Sequence, residues 1–593
     1  SALHVPEQAP ALGDLVDVFV RVPVAAGVRG VHVRTTPDGE PRYTEAKLDR
    51  EHGSEAWWRV AVQVRNPVTR YRFLLDTFAG PQWLTGMGLT GHDVPDATDF
   101  RLVAHAPPPA WSTDAVVYQI FPDRFARSAA AADRALPDWA IRCDWDTPVI
   151  GHGPQAGQQF YGGDLDGIAE HLDHIESLGA DTVYLTPIFP ARSNHRYDAA
   201  GFDTVDPLLG GDEALIRLRS ALHRRGLRLL GDLTTNHCGD SHPWFLAAAA
   251  DPAAGQRELF YFQAGEYEAW LGVPSLPKLN WASAQLRARF CDGDEAVARR
   301  WLRPPYSLDG WRVDVANMTG RRGADDFTHE VARMLRATVA DVAPDALLVA
   351  EHAHDATADL DRDGWHGTMN YAGFTRPVWT WLRSDTLALT DFLGMPGGVP
   401  RRPAESMVAT MRAFAASVSW RAWANSWTML GSHDTARIRT VVGDPGRVEV
   451  GLGLLLTLPG VPMIFAGDEL GLVGVNGEDA RRPMPWHRPA DWDHATLARA
   501  RSLIQLRRDS AALRQGGLRW AYLAGDAVAY LRESATERML VLARRAAGGP
   551  VRLAGLDAAN LTNVYGGAEV SLGPGGSVEL PGDGPTLQIW RLH

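Results

Sequence analysis

Eight short apolar runs in the middle of the chain constrain its fold more than any other feature. They are VVYQIF (116–121), DTVYLTP (181–187), LRLLGDLT (227–234), GWRVDVA (310–316), LLVAEH (347–352), TMNYAGF (368–374), WTMLGSH (427–433) and VPMIFAG (461–467). Amphipathic stretches such as IAEHLDHIESLG and EALIRLRSALHRRG lie between most of them. Strands covered by helices on both faces read as such near-continuous Val, Ile and Leu runs. A strand–helix unit repeated eight times predicts an α/β fold, a (β/α)8 TIM barrel. The longest gap, about 238–305, exceeds what one crossover helix needs, so a small domain inserted after the third strand is expected.

The flanks change period. Residues 1–110 contain LVDVFVRVPV, GVHVRTT, WWRVAVQV and RYRFLLDT, separated by turn residues, which predicts an N-terminal β-sandwich. The proline-rich HAPPPAW (105–111) is a stiff boundary. Alternation returns in LRWAYLAG, AVAYLRE, RMLVLARR and TLQIWRLH, so a second β-sandwich is expected over 513–593, which leaves 111–512 to the barrel.

Charge narrows the function. The formal net charge is -12 and no run of Lys and Arg forms a basic patch, which disfavours nucleic acid and phosphorylated substrates. The three cysteines, Cys143, Cys238 and Cys291, lie far apart and match neither a zinc spacing nor a disulfide framework. The longest apolar run, GLGLLLTLPGVPMIF, is short of the ~20 residues a membrane helix needs and holds two prolines. SALHVPEQAP has no basic region followed by an apolar one. A cytoplasmic protein without membrane partners is the expectation.

The strand ends carry the chemistry. In GWRVDVANM, Arg312 and Asp314 fall on one face of a strand and Trp311, Val313 and Val315 on the other. Burying ions costs several kcal/mol each before pairing compensates. A structural salt bridge is the bland account of this pair alone. Other runs end alike: the third in Asp232, Asn236 and His237, the fifth in Glu351 and His352, the seventh in His433 and Asp434. The second leads into His195, Tyr197 and Asp198. Barrels gather such residues at the C-terminal mouth, where their active sites lie. Three carboxylates with histidines, an arginine and a tyrosine point to glycoside chemistry. One carboxylate attacks the anomeric carbon, one protonates the leaving oxygen, and a third binds hydroxyls and keeps the acid protonated by like-charge repulsion.

These motifs, GDLTTNH, SLPKLN, GWRVDVANM, VAEH and GSHDTAR in that family's set, with QFYGGDLDGI and RRPMPW, resemble the α-amylase family over essentially the whole chain. The resemblance implies Asp314 as nucleophile, Glu351 as general acid/base and Asp434 as transition-state stabiliser. It implies Tyr197, His237, Arg312 and His433 around the sugar, with Tyr197 as stacking platform. Asp198 and Arg437 look like the family's pair that closes the subsite over a terminal glucose. Within the family, YQIFPDRFARS, CDWDTPV, WLGVPSLPKLN and MNYAGFTRPVW look most like the maltodextrin glucosidases, which release glucose from maltooligosaccharides. Met318 and His352 stand where neopullulanases, cyclomaltodextrinases and maltogenic amylases usually carry Glu and Trp, and both are expected to border the acceptor side. A cyclomaltodextrinase, neopullulanase or maltogenic amylase is the alternative reading. A transglycosylase shares the same intermediate, and a catalytically inactive glucan-binding homologue is the rival from another class. In relatives the N-terminal domain often mediates dimers that wall the cleft, so a homodimer is a further expectation. Some relatives bind calcium after the first strand, but the loop ARSAAAADR here has lost most oxygen ligands, so no required metal and no cofactor are expected. Glu469, Arg481 and Arg482 read as solvated or loop-bracing residues.

Overall fold

The protein is represented by a computed structural model that describes residues 1–392, 394–567 and 569–593. Eight parallel strands form a closed barrel: β1 Val117–Ile120, β2 Thr182–Leu185, β3 Arg228–Thr234, β4 Gly310–Asp314, β5 Leu347–His352, β6 Gly367–Asn370, β7 Trp427–Met429 and β8 Val461–Phe465. Each pairs with the next, and β1 pairs with β8 to close the ring. All eight apolar runs thus become barrel strands.

Alternation along the strands sorts the side chains into two cores. Val117, Tyr184, Leu230, Leu347, Val349, Met369, Trp427 and Met463 fill the lower lumen. Their neighbours Tyr118, Val183, Leu229, Trp311, Val313, Leu348 and Ala350 pack outward on the helices. One step further up, the lumen-facing positions become polar: Gln119, Asp232, Arg312, Asp314 and Glu351. The hydrophobic floor and polar mouth are successive layers of one alternating pattern. Gly310 opens β4 at φ +148°, and a Cβ there would sit 2.1 Å from the Leu347 carbonyl oxygen, so only glycine lets β4 and β5 meet in register.

The sixth run is shorter as a strand than its apolar stretch. TMNYAGF is extended only to Asn370, and Tyr371–Thr375 forms a single π-helical turn. Asn370 caps it by accepting from the Gly373 N–H at 2.9 Å. Such turns recur at functional sites. Between β3 and β4 lie the helices Pro243–Ala250 and Ala284–Cys291 and a hairpin of Phe262–Gln263 with Glu266–Tyr267, in the segment expected as the insertion.

The N-terminal region holds a three-stranded sheet (Leu15–Pro23, Glu55–Gln63, Lys47–His52) and a six-stranded sheet built around Val28–Thr35 and Val68–Thr77. Val16, Val18, Val20, Val31, Val33, Val60, Val62, Phe73 and Leu75 interlock between them. The C-terminal region is a five-stranded sheet with a two-stranded partner, Val551–Leu553 with Val578–Leu580. Ala527–Glu533 and most of Arg538–Arg544 are buried on both faces. Leu531, Leu540, Leu542 and Trp590 pack on the small sheet. Val528, Tyr530, Val541, Leu587 and Ile589 join the barrel's own core. No helix is long and apolar enough to cross a membrane among the described residues.

Candidate active site

Arg312 organises the mouth. It rises from β4 into the lumen with no solvent exposure. One terminal nitrogen donates to Asp232 Oδ1 at 3.0 Å and to Asp314 Oδ1 at 2.7 Å. The other lies 2.9 Å from Glu351 Oε1. Asp314 and Glu351, from adjacent strands, therefore sit on the two arms of one guanidinium. A fourth contact comes from the backbone: Glu351 Oε2 accepts from the Val315 N–H at 2.9 Å. Val315 has φ +45°, a strained conformation for a β-branched residue. It stands directly after Asp314, and its N–H meets Glu351 in that conformation; strain of this kind clusters at active sites.

Asp232 anchors the cluster from below. Besides Arg312 it accepts from the Tyr184 hydroxyl at 2.6 Å and the Tyr197 hydroxyl at 2.9 Å. Its oxygens are spent and its exposure is 1%, which makes it a structural acid.

Asp434 enters from the loop after β7. Its Oδ2 lies 3.2 Å from His433 Nε2, and its Oδ1 accepts from Arg481 at 3.1 Å. His433 Nδ1 faces the Gln119 amide at 2.8 Å, and Nε2 meets the Tyr197 hydroxyl at 2.6 Å. With the amide donating to Nδ1, the ring proton resides on Nε2, directed at Tyr197 and Asp434. The Tyr197 and His433 rings are parallel within 8°, centroids 5.5 Å apart. His237 Nε2 lies 3.8 Å from Asp314 Oδ2, buried and without a hydrogen-bond partner. A donor left open in so buried a site is ready for a ligand hydroxyl.

Burial and like charge shift these acids. Burial pushes Asp314 well above the usual carboxylate range, with Arg312 opposing and Glu351 and Asp232 adding. Burial raises Glu351 as well, against Arg312 and with Asp434. Burial also works on Asp434, but His433, Arg481 and Arg312 outweigh it and leave this carboxyl below its ordinary value. Burial pulls His237 and His433 down to about 3, so both rings are neutral. The side-chain exposures, 7% for Asp314, 14% for Glu351 and 39% for Asp434, grade from lumen to rim.

Two expectations need correction. Asp198 and Arg437 do not pair. Asp198 accepts from the Arg192 N–H at 2.9 Å and from the Ser193 hydroxyl. Arg437 is 1% exposed, donates to Asp468 at 2.9 Å and to the Ala480 carbonyl at 2.9 Å, and stacks 3.8 Å over Phe465. The β7 loop turns it into the wall beneath β8. His352 does not border the mouth: strand alternation sends it to the face opposite Glu351, 1% exposed and 3.8 Å from Asp359. Met318 is half-buried, and its carbonyl accepts from Lys278 Nζ at 3.0 Å. His195 accepts from the Tyr197 N–H at 3.1 Å.

Arg481 is the residue that reading the strand ends missed. It braces more than a loop: it holds Asp434, donates to the His433 carbonyl at 2.8 Å, and lies 5.1 Å over the Phe121 ring. Its signal was the pair of arginines in RRPMPW, but sequence does not say which carboxylate they meet. Lys278, in SLPKLN, is 2% exposed and donates to Asn236 at 2.5 Å. Glu469 is fully buried, not solvated, and accepts from Tyr118 at 2.7 Å. Asp164 accepts from Arg134 at 2.6 Å, Ser128 Oγ at 2.6 Å and Gly167 N at 2.8 Å. Among the described residues no three His, Cys, Asp or Glu converge as a metal centre requires.

Comparison with known proteins agrees with this geometry. Residues 119–515 match the family described as Alpha amylase, catalytic domain. A cyclomaltodextrinase of Geobacillus thermopakistaniensis is 31% identical over 452 residues, covering 74% of this chain and 70% of its own. A cyclomaltodextrinase of a Bacillus species is 30% identical over 511 residues, 82% of this chain and 83% of its own. A solved structure of a cyclomaltodextrinase superposes with TM-score 0.76 at 26% identity, covering 98% of this chain and 97% of that one. With the barrel, its polar mouth and these matches together, the chain belongs to the α-amylase family of glycoside hydrolases.

Proposed function

We propose that the protein is a retaining α-glucan hydrolase of the cyclomaltodextrinase type, which opens α-1,4 linkages in short linear and cyclic maltodextrins. The observation that carries the chemistry is the seating of Asp314 and Glu351 on the two arms of Arg312. Two carboxyls, one more buried anion and a single guanidinium leave excess negative charge in a low-dielectric site. The pair therefore retains one proton near neutrality. Turnover requires the anion of the pair on Asp314 and its proton on Glu351, and Arg312, 2.7 Å from Asp314, opposes the burial that raises that carboxyl.

In the first step Asp314 attacks the anomeric carbon while Glu351 gives its proton to the departing glycosidic oxygen. A β-linked glucosyl ester forms and the α-linkage breaks. In the second step Glu351, now the anion, takes a proton from water, which displaces Asp314 and restores the α-anomer. Asp434, His433 and His237 bind hydroxyls of the distorted ring, and Tyr197 supplies its stacking face. Arg312 stays charged throughout and holds both acids in register.

Motif likeness favours a glucose-releasing maltodextrin glucosidase. The named relatives favour the cyclomaltodextrinase reading, and burial of His352 removes one of the two departures on which the glucosidase reading leaned. A timed product profile on end-labelled maltotriose, maltoheptaose, β-cyclodextrin and pullulan decides. Ring opening of β-cyclodextrin with maltose as main product supports the proposal. Glucose from every linear substrate with β-cyclodextrin untouched returns the glucosidase. The same profile with excess maltose as acceptor reports transfer against hydrolysis.

A further inference from the structure

β1 brings no acid to the mouth, and its polar contribution to the lumen is Gln119, which is fully buried. Its backbone is held on both sides, opposite Tyr184 of β2 and Phe465 of β8, and its carbonyl accepts from the Ala466 N–H at 3.0 Å. Its side-chain amide meets His433 twice. Oε1 accepts from the His433 backbone N–H at 3.2 Å, and Nε2 lies 2.8 Å from His433 Nδ1.

The first contact fixes the second. A backbone N–H can only donate, so the amide oxygen must face it and the amide NH2 must face the ring. Nδ1 is then an acceptor, and the proton of the neutral ring sits on Nε2. Burial, with Arg481 and Arg312 adding and Asp434 opposing, pulls the ring down to about 3, so there is one proton to place.

The direction propagates across the mouth. Nε2–H faces the Tyr197 oxygen at 2.6 Å and Asp434 Oδ2 at 3.2 Å. The Tyr197 hydroxyl gives its own proton to Asp232 Oδ2 at 2.9 Å, and Asp232 also receives Arg312, which holds Asp314. In the other tautomer a bare Nε2 lone pair would face the Asp434 carboxylate, and Tyr197 would have one proton for two acceptors. A buried network left partly unsatisfied in this way is costly.

We propose that Gln119 is a positioning residue of the glucan-cleaving mouth: it holds His433 as the Nε2–H tautomer and thereby keeps Asp434 and Tyr197 oriented for the sugar. This rests on the reading of the mouth given under the proposed function. Gln119 acts through His433 and does not touch the reacting atoms.

Nitrogen-15 NMR of the intact protein, labelled at the histidine ring nitrogens and free of substrate at neutral pH, reads the tautomer. The signal lost in His433→Gln assigns the ring. The expected wild-type ring has a protonated Nε2 and a bare Nδ1. Gln119→Glu keeps the shape and the bond from the backbone N–H but puts an acceptor against Nδ1. Flanked then by two carboxylates, the ring becomes imidazolium, and its charge opposes the oxocarbenium-like transition state. On maltotriose kcat/KM falls at least about tenfold, with the loss in kcat more than in KM. Gln119→Met removes both contacts without burying a charge, provides a kinetic arm if the Glu variant does not fold, and loses at least about threefold in kcat. A wild-type His433 ring protonated on Nδ1 overturns the proposal, as does wild-type kcat in either folded variant. Because the ring is read without substrate, failure of this inference and failure of the glucan reading are told apart.

Discussion

Replacing Arg481 by methionine probes how Asp434 is kept ionised at the rim. The substitution removes a donor 3.1 Å from Asp434 Oδ1 and another 2.8 Å from the His433 carbonyl while preserving side-chain length. A hydrogen bond to a charged group contributes about 1.5–3 kcal/mol. Asp434 is 39% exposed, so water screens the interaction, and about 1–2 kcal/mol is the expected loss. If that loss falls on the transition state, kcat/KM drops roughly 5–30-fold. The pH profile adds a readout that simple loosening would not move. Arg481 is among the groups that hold the Asp434 carboxyl below its ordinary value, against burial. Without it the carboxyl titrates higher, so the acid limb of kcat/KM moves to higher pH. Arg481→Lys, which keeps the charge and loses the fork, falls between the two. Steady-state kinetics on maltotriose from pH 4 to 8 provide the assay. Wild-type kcat/KM with an unmoved acid limb in Arg481→Met would refute the assignment.

Asp314→Asn and Glu351→Gln lower turnover by several orders of magnitude with unchanged circular dichroism, and full activity in either removes its assigned role. Lys278 is pulled down to about 8 by burial. Its folded value lies below its unfolded one, so the buried ammonium costs stability below pH 8, and that cost is relieved as pH rises toward the unfolded value near 10.5. Lys278→Met is therefore expected to gain up to about 3 kcal/mol over wild type in urea unfolding at pH 7, less the value of the two lost hydrogen bonds, with the gap narrowing by pH 10. A gap independent of pH would contradict it. Asp198 is raised to about 6 by burial, against its bonds from Ser193 and Arg192. Its folded value lies above its unfolded one, so its favourable contribution is complete below about pH 4 and is lost as pH rises through 6. Relative to Asp198→Asn, wild-type stability should fall by about 3 kcal/mol between pH 4 and 7, and a flat difference across that window argues against a buried carboxyl there.

The barrel was legible because its evidence is local. A strand buried on both faces needs a short apolar run, and eight such runs stand in order with crossovers between them. The alternation of Arg312 and Asp314 against Trp311 and Val313 already separated lumen from outer layer, and Glu351 followed the same rule. Taken alone, that rule also sends His352 to the back of β5. Expecting it at the mouth came from adjacency in the chain, and adjacency along a strand means opposite faces.

The partners of the charges were decided only in three dimensions. Sequence supplied Arg312, Arg437 and Arg481 as three arginines near strand ends, and nothing in their spacing says which acid each meets. The fold puts Arg312 between Asp232, Asp314 and Glu351, sends Arg437 to Asp468, and brings Arg481 across from the segment after β8 to Asp434. Ion pairing depends on distances of a few ångströms between groups far apart in the chain, and those distances are set by how loops close over the barrel rim. The positive φ of Val315 belongs to the same class, because no residue preference favours it. Residue types and their order determined that acids would gather at one mouth, because periodicity is written along the chain. Which acid would be ionised and which would keep its proton was decided by burial and by neighbours the tertiary structure alone could bring.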